Sequence, residues 1–546
     1  VKVFMTPTIA ILLIITFVVS AVGLLLLIWS IATNQFSHGH LAARTIFAEG
    51  EEGHGEDPAG DTVLEDTDNT IANDELQARE VADRSSRQAA LAWLGSAVLW
   101  LLVGSAYGLL TSGKFHWPEL LADSEWLTFG RVRPMHLNAV AYGWASMAGV
   151  GVAIFLIPRL FKTALVGGRY ALWGAVLWNL GMVLGLVAIN LGLSDGEEWL
   201  EFPWQVDTLF VIGGGLCAIP LLLTAANRRV SHLYVTSWYL LAALVWFPIL
   251  FLLANLPVVF PGASGATVNW WFAHNVLGLW VTPIGVGIAY YMIPKILGRP
   301  IISYQLSLIG FWSLALFYSQ VGIHHLVGGP VPTWLVTLSI VHSVMMSVPV
   351  ITVAINHHGT MWGHFGRLKD SPTLRFVWIG ALMYTLSSLQ GSMEALRSVN
   401  VVTHFTHYTV GHAHLGMYAF LSLILFGAIY FIMPRLMNWE WPWRPLISLH
   451  FWLVTSGILI YVVSLSVGGW LQGLAMLDAE TAFMDIVRLT LPYLEARTLG
   501  GALMTLGHVI FAVHFVAMLR RSGKERHRPT LFRSAQRARD TLEGSR

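Results

Sequence analysis

The feature that most restricts this chain is a succession of thirteen stretches of about 20 mostly apolar residues, each long enough to cross a lipid bilayer as a helix. They lie near 6–33, 89–111, 137–158, 171–192, 205–226, 233–255, 270–294, 302–326, 334–356, 374–397, 408–433, 446–470 and 497–519. A helix satisfies its own backbone hydrogen bonds, which hydrocarbon cannot do for it. The expectation is an all-α integral membrane protein: a twelve-helix core with one extra N-terminal transmembrane helix. Charged residues make up 12% of the chain, against roughly 25% in soluble domains, so a soluble enzyme is excluded. The first stretch is too long for a signal-peptide core and lacks a small-residue cleavage site, so it reads as a retained anchor.

The net charge of +1 averages two unlike regions. Between Asn34 and Gln88 stand 13 acidic residues and 4 basic ones, leaving 18 acidic and 28 basic elsewhere. Every second loop is basic: Arg159, Lys162 and Arg169; Arg228 and Arg229; Lys295 and Arg299; Arg367, Lys369 and Arg375; Arg435 and Arg444. The intervening loops carry Asp195, Glu197, Glu198 and Glu201, or Asp478, Glu480 and Asp485. By the positive-inside rule the basic loops and the C-terminus are cytoplasmic, and thirteen spans put the N-terminus outside. Four parts follow: an anchor (1–33), an acidic cytoplasmic linker (34–88), the core (89–520) and a basic cytoplasmic tail (521–546). The linker has few large apolar residues, so it is expected to be disordered. Basic residues stand where membrane topology puts them, and nothing points to nucleic acid. The single thiol, Cys217, excludes a disulfide framework, a Cys-ligated iron–sulfur centre and a covalently attached c-type haem.

One histidine in a membrane helix commonly hydrogen-bonds a neighbouring helix. Six at one depth ask for another reason. His136, His274, His324, His325, His412 and His414 all fall in the outer half of their spans, although those spans run in opposite directions. Ionisable groups at that depth are costly and point to function. His412 and His414 diverge by about 200° around a helix, so one helix can serve two cofactors. His324 and His325 diverge by about 100° and can converge on one centre only at a helix end; His274 could complete a three-imidazole site. Imidazoles without thiolate or carboxylate suit copper, zinc or iron, and paired axial imidazoles suit a low-spin haem.

These residues stand in segments that resemble the catalytic subunit of the haem–copper oxidase superfamily, most closely its C-type (cbb3) branch. The segments are RVRPMHLNAV around His136, EFPWQVD at 201–207, WWFAHNVLGLW around His274, YMIPKILGRPIISYQLS at 291–307, FYSQVGIHH ending at His325 and THFTHYTVGHAHLG around His412. The resemblance covers roughly residues 90–520. It implies His136 and His414 as axial ligands of a low-spin haem b, and His412 as proximal ligand of a high-spin haem b3. It implies His274, His324 and His325 as ligands of the facing copper, CuB. Tyr318 matches the tyrosine that C-type oxidases cross-link to the first copper-ligand histidine, here His274. Its seven-residue spacing from His325 puts both on nearly the same face of a continuous helix. Ser307 and Tyr304, within about 40° of Tyr318 around that helix, resemble part of a cytoplasmic proton path. Arg497 resembles the arginine near the haem propionates. A structural calcium ion is a further expectation.

Two positions depart from the C-type pattern. Gln390 stands where a Glu is usual, with Glu394 one turn later, and His407 stands where Asp is common. Segment 403–414 also resembles nitric oxide reductases of the same scaffold. Those of the cytochrome-linked type need a Glu four residues after the first metal-site histidine, where this chain has Gly278, and they lack the tyrosine. The expected activity is therefore reduction of O2 to water by a terminal respiratory oxidase of the bacterial inner membrane, with proton uptake and pumping. Nitric oxide reduction is the alternative, and a transporter using histidines as proton carriers is a more distant one. Without a CxxCH motif, electrons must come from a c-type cytochrome subunit or a soluble cytochrome c. The start of the chain, LLLLIWSIATNQFS followed by RTIFAEGEE, resembles a small single-span protein used in cbb3 maturation.

Overall fold

The computed structural model describes residues 21–53, 55, 57–60, 73–255 and 261–523. These form helices and turns with no strand. The main helices are α1 (Ala21–Ala32), α2 (Asn73–Gly113), α3 (Phe129–Leu160), α4 (Gly168–Asn190), α5 (Trp204–Ala226), α6 (Val235–Ala254), α7 (Ala263–Leu297) and α8 (Tyr304–Tyr318). They continue as α9 (Thr333–Met361), α10 (Pro372–Glu394), α11 (His407–Met437), α12 (Pro445–Met476) and α13 (Phe483–Leu519). Eleven helical stretches among the described residues are long and apolar enough to cross a membrane. The expected span 374–397 is present as α10 but is not among them, because it ends in the polar run SSLQGSME. Of the expected anchor, residues 6–20 lie outside the described residues. Its remainder, α1, exposes Leu24, Leu25, Ile28 and Ile31 while Trp29 packs against Trp238 of α6.

Helix ends are specified locally. Ser303 caps α8 by accepting from the Leu306 N–H at 3.2 Å, and Ser371 caps α10 from Leu374 at 3.0 Å, with Pro372 in the first turn. Neighbours pack as long pairs, α12 with α13, α4 with α5 and α2 with α3. Helices α3, α7 and α11 are enclosed by the others and nearly all buried. They carry four of the six singled-out histidines.

Three departures from expectation have physical causes. First, α13 begins at Phe483 rather than near 497, because a helix can run past the hydrocarbon where polar residues such as the Asp485–Arg488 pair are exposed. Second, the helix expected over 302–326 ends at Tyr318 and resumes as a 3-10 turn at Ile323–Leu326. Gly322, with φ +126°, makes the break: a Cβ there would lie 2.5 Å from the Trp270 carbonyl oxygen. Tyr318 and His325 therefore do not share a helix face, and the spacing argument for them fails.

Third, the described part of 34–88 is not a solvated linker. Gln35 donates to the Ser231 carbonyl and accepts from the Leu233 N–H, and Ala42, Ala43, Ile46 and Phe47 are buried. Glu51 is buried between Lys295 and Arg79, the latter at 2.6 Å. Asp57 accepts from Ser371 and Thr373 at the start of α10. From Asn73 onward the chain is already α2, where Glu75 pairs with Lys162 and Asp83 with Arg159. Of the acidic residues that argued for disorder, Glu51, Glu75 and Asp83 are counter-charges for Lys295, Lys162 and Arg159, and Asp57 meets a helix N-terminus. Burial opposes ionisation of Glu51, but Lys295 and Arg79 outweigh it and hold its carboxyl well below the usual range. At Asp57, burial outweighs the hydrogen bonds and pushes the carboxyl up. Residues 61–72 and most of the expected tail, 524–546, lie outside the described residues.

Candidate functional site

Each of the three enclosed helices changes from α to π geometry just after a singled-out histidine. The π stretches are Ala139–Ser146 after His136, Val276–Val281 after His274, and Leu415–Ser422 after His412 and His414. Wide turns of this kind are rare and concentrate at functional sites. Each stretch contains one Gly and at least one aromatic residue, the only sequence signal that marked them.

His274, His324 and His325 converge, with ring centres 4.5–5.3 Å apart. One nitrogen from each lies within 4.8 Å of the others, so the three can hold a single metal ion. The 3-10 turn brings the adjacent pair together, as a helix end was expected to do. Ser339 of α9 holds His324: its hydroxyl accepts from the His324 N–H at 3.1 Å and lies 3.0 Å from Nδ1, with Ser343 at 3.2 Å. Such outer contacts fix ring orientation and leave the other nitrogen for metal. Trp270 stacks on His325 at 4.3 Å, and His274 Nδ1 is buried without a protein partner. The sequence reading missed the two serines and Trp270, whose roles depend on α9 and α7 folding beside the turn. Among the described residues no other group of three His, Cys, Asp or Glu side chains is close enough to share an ion. No acidic cluster for calcium is found among them.

The Tyr318 ring lies 5.2 Å from that of His274, tilted 50°. It fills the space above Gly278, where a Cβ would fall 1.7 Å from Tyr318 Cε1. Tyr318 and any side chain at 278 therefore exclude each other.

His136 and His414 face each other with ring centres 6.3 Å apart and planes 10° from parallel. That gap accommodates one metal atom with a bond of about 2.0–2.1 Å on each side. His136 Nδ1 bonds the Gly104 carbonyl at 2.7 Å, which leaves its Nε2 as ligand. His414 Nδ1 bonds the Val410 carbonyl at 2.9 Å, and the Tyr461 hydroxyl stands 3.2 Å from its Nε2. His412 points elsewhere, as the 200° separation required. Its Nδ1 is 3.3 Å from Gln390 Oε1 and 3.9 Å from Glu394 Oε1, both on α10. A neutral amide thus contacts the ring, and the carboxylate stands one turn further along. Arg497 is buried over Phe115 and Tyr461, with its Nε unpartnered in the protein. His407 packs edge-on against the same Phe115. Imidazole pairs and triads, with a buried guanidinium short of one acceptor, fit an iron porphyrin and a copper ion.

Ser307 and Tyr304 are both buried on α8, where Ser307 donates to the Tyr304 carbonyl at 2.6 Å and Tyr304 to the Leu233 carbonyl. On the acidic-loop side, Glu201 is buried and accepts from Asn138 at 2.9 Å, two residues after His136. Burial first, then the negative charge of Glu198, push its carboxyl up to about 7.

A helical membrane bundle that encloses facing imidazoles and a three-imidazole cluster has the side chains of a membrane metalloprotein. Residues 88–503 match the family Cytochrome C and Quinol oxidase polypeptide I, to which the chain belongs. It is similar to the cbb3-type cytochrome c oxidase subunit CcoN1 of Stutzerimonas stutzeri, with 32% identity over 76% of this chain and 91% of that one. The cytochrome c oxidase subunit 1 homolog, bacteroid, of Bradyrhizobium diazoefficiens is 30% identical over 81% and 83% of the two chains. The fold is shared with a solved haem–copper terminal oxidase dimer (TM-score 0.64, 15% identity, covering 82% of this chain and 86% of that one). The chain is therefore an oxidoreductase subunit, and its family implies haem and copper.

Proposed function

We propose that this chain is the catalytic subunit of a cbb3-type terminal oxidase that reduces O2 to water with electrons from a c-type cytochrome subunit or soluble cytochrome c. His136 and His414 would hold the low-spin haem b between their facing rings. His412 would hold haem b3, and His274, His324 and His325 would hold CuB. When bound, haem b3 and copper supply the metal positions and electrons for cleaving O2. The chain does the rest. Ser339 and Ser343 keep the His324 ring turned toward the cluster, and Trp270 does the same for His325 by stacking. Tyr318 holds a proton at its hydroxyl beside His274 and gives it up during reduction. Gln390 accepts from His412 Nδ1–H and so fixes the tautomer that leaves Nε2 for the iron. Arg497 faces the haem propionates. Tyr304 and Ser307 pass protons along α8 from the cytoplasm. The basic loops and C-terminus face the cytoplasm of a bacterial inner membrane.

The observation that carries this reading is the ring of Tyr318 lying against His274 of the three-histidine cluster, in the space a side chain at 278 would need. It supports O2 over nitric oxide, since reductases of the cytochrome-linked type place a Glu there. The test is side-by-side O2 and NO turnover of the purified complex, with copper and haem measured on the same sample. Brisk O2 consumption with about one copper per chain is expected. Rapid NO reduction without O2 consumption would overturn it.

A further inference from the structure

The singled-out imidazoles that have a hydrogen-bond partner at Nδ1 meet different kinds of oxygen. His136 and His414 meet backbone carbonyls, His324 meets serine hydroxyls, and His412 meets an amide, Gln390 Oε1 at 3.3 Å. Glu394 Oε1 lies 3.9 Å from the same His412 nitrogen, outside hydrogen-bond distance, and is buried without a hydrogen-bond donor. The group that polarises His412 Nδ1–H is therefore Gln390, and it carries no charge.

Helix α10 seats this ring. At Gly391 a Cβ would fall 3.0 Å from His412 Cε1 and 3.1 Å from Nε2, so the glycine keeps that edge of the imidazole clear. One residue further on, the Ser392 hydroxyl donates to the Ser343 carbonyl of α9 at 2.7 Å. The Ser343 hydroxyl in turn stands 3.2 Å from His324 Nδ1. One joint between α9 and α10 thus positions Gln390 against His412 and a serine against the three-histidine cluster.

The acceptor at Nδ1 decides how strongly an imidazole donates to a metal at Nε2. A carboxylate draws the Nδ1 hydrogen toward itself, because hydrogen bonds to ionised groups are about twice as strong as neutral ones, and the ring becomes more basic. A more basic ligand favours ferric over ferrous iron, since the ferric ion carries one more positive charge. A neutral amide at 3.3 Å draws the hydrogen weakly.

We propose that Gln390 is a positioning residue that sets the reduction potential of the haem held by His412. Its uncharged oxygen keeps the ring close to a neutral imidazole and holds that potential above the value a carboxylate at 390 would give. This deepens the oxidase reading and rests on it. One electron from the c-type cytochrome donor takes the iron from ferric to ferrous, while the Nδ1–H bond stays intact and no proton moves at Gln390. The higher potential draws electrons onward from the facing pair, His136 and His414, toward His412.

The test is a redox titration of the whole purified complex, with Gln390→Glu and Gln390→Leu beside the unmodified chain. Carbon monoxide binds the high-spin ferrous haem and separates its signal from that of the low-spin haem. Gln390→Glu keeps the side-chain length and is expected to lower the high-spin midpoint by about 59 mV or more, a tenfold change in the ferrous-to-ferric ratio at fixed potential. The low-spin midpoint should not follow it. Resonance Raman of the ferrous haem reads the iron–imidazole bond directly. Its stretching frequency should rise in Gln390→Glu and fall in Gln390→Leu, which removes the acceptor; loosened packing would not give opposite signs. An unmoved high-spin midpoint in Gln390→Glu overturns the assignment, as do frequency shifts of the same sign in both variants. If Gln390→Glu loses haem, Gln390→Leu decides: a lower frequency supports the role of Gln390 and an unchanged one overturns it. If the unmodified complex has no haem that binds carbon monoxide, it is the oxidase reading that fails.

Discussion

The two halves of the bundle bury the same residue types and put them to different use. In the acidic-loop half, imidazoles face other imidazoles: His136 and His414 across 6.3 Å, and three more within a 4.8 Å cluster. In the basic-loop half, imidazoles face hydroxyls and a carbonyl, as His508 and His450 face Tyr418 and Tyr430. Burial differs too: His450, His508 and His514 are buried, whereas of the other six only His324 is. The chemical difference is the atom across from the spare nitrogen. The carboxylates make the same point. Glu51 meets Lys295 and Arg79 and is held ionised, whereas Glu201 has Arg133 no nearer than 3.9 Å and Glu198 beside it, and its proton is held to about 7.

The strongest way to break the contrast is to remove one imidazole from the cluster. His325→Ala is expected to abolish copper retention, measured by elemental analysis, and to bring O2 consumption to background. The b-haem bands from His136 and His414 should persist, and their loss as well would merge the two centres into one structural unit. Tyr318→Phe keeps the ring that packs over Gly278 but removes the proton. Metals should stay bound, while turnover falls by ~10²-fold or more. Wild-type turnover in this variant would leave the tyrosine as packing. Ser339→Ala releases the His324 ring and should weaken copper binding by ~10–100-fold, read by titration with a chelator.

The remaining tests concern the carboxylates. Glu51→Ala leaves Lys295 buried without that partner and is expected to cost roughly 3–5 kcal/mol in attachment of residues 34–60. Faster proteolysis within that segment would report it. In the native chain the Glu51 contribution is present above its ordinary 4.5 and lost as pH falls below that value, so detachment should be promoted by acid. Glu201 has the opposite sign. Its folded form keeps the proton up to about 7, so its contribution is full below 4.5 and lost as pH rises through about 7. Glu201→Gln should flatten thermal stability across that window, and an unchanged slope would assign the pH dependence elsewhere.

Much of this was legible without coordinates. Apolar length alone specifies a helical membrane bundle, because hydrocarbon admits few alternatives. The alternation of loop charge singled out six histidines, five of which the structure brings into a facing pair and a three-imidazole cluster, and two-residue spacing separated His412 from His414. Tertiary structure decided the rest. The 3-10 turn at Gly322 depends on the Trp270 backbone pressing against it, so the helix that appeared continuous from Tyr304 to His325 is broken. The acidic stretch before Gln88 looks disordered when read alone, since its partners Lys295, Ser371 and Thr373 are more than 200 residues away. His450, His508 and His514 carry no spacing that marks them in the sequence, because their setting lies in which hydroxyl or carbonyl faces each nitrogen. Sequence determines what can enter the membrane and which groups must be neutral there. Only the packing of one helix against another determines where each spare nitrogen or oxygen points, because that choice is made by partners remote in the chain.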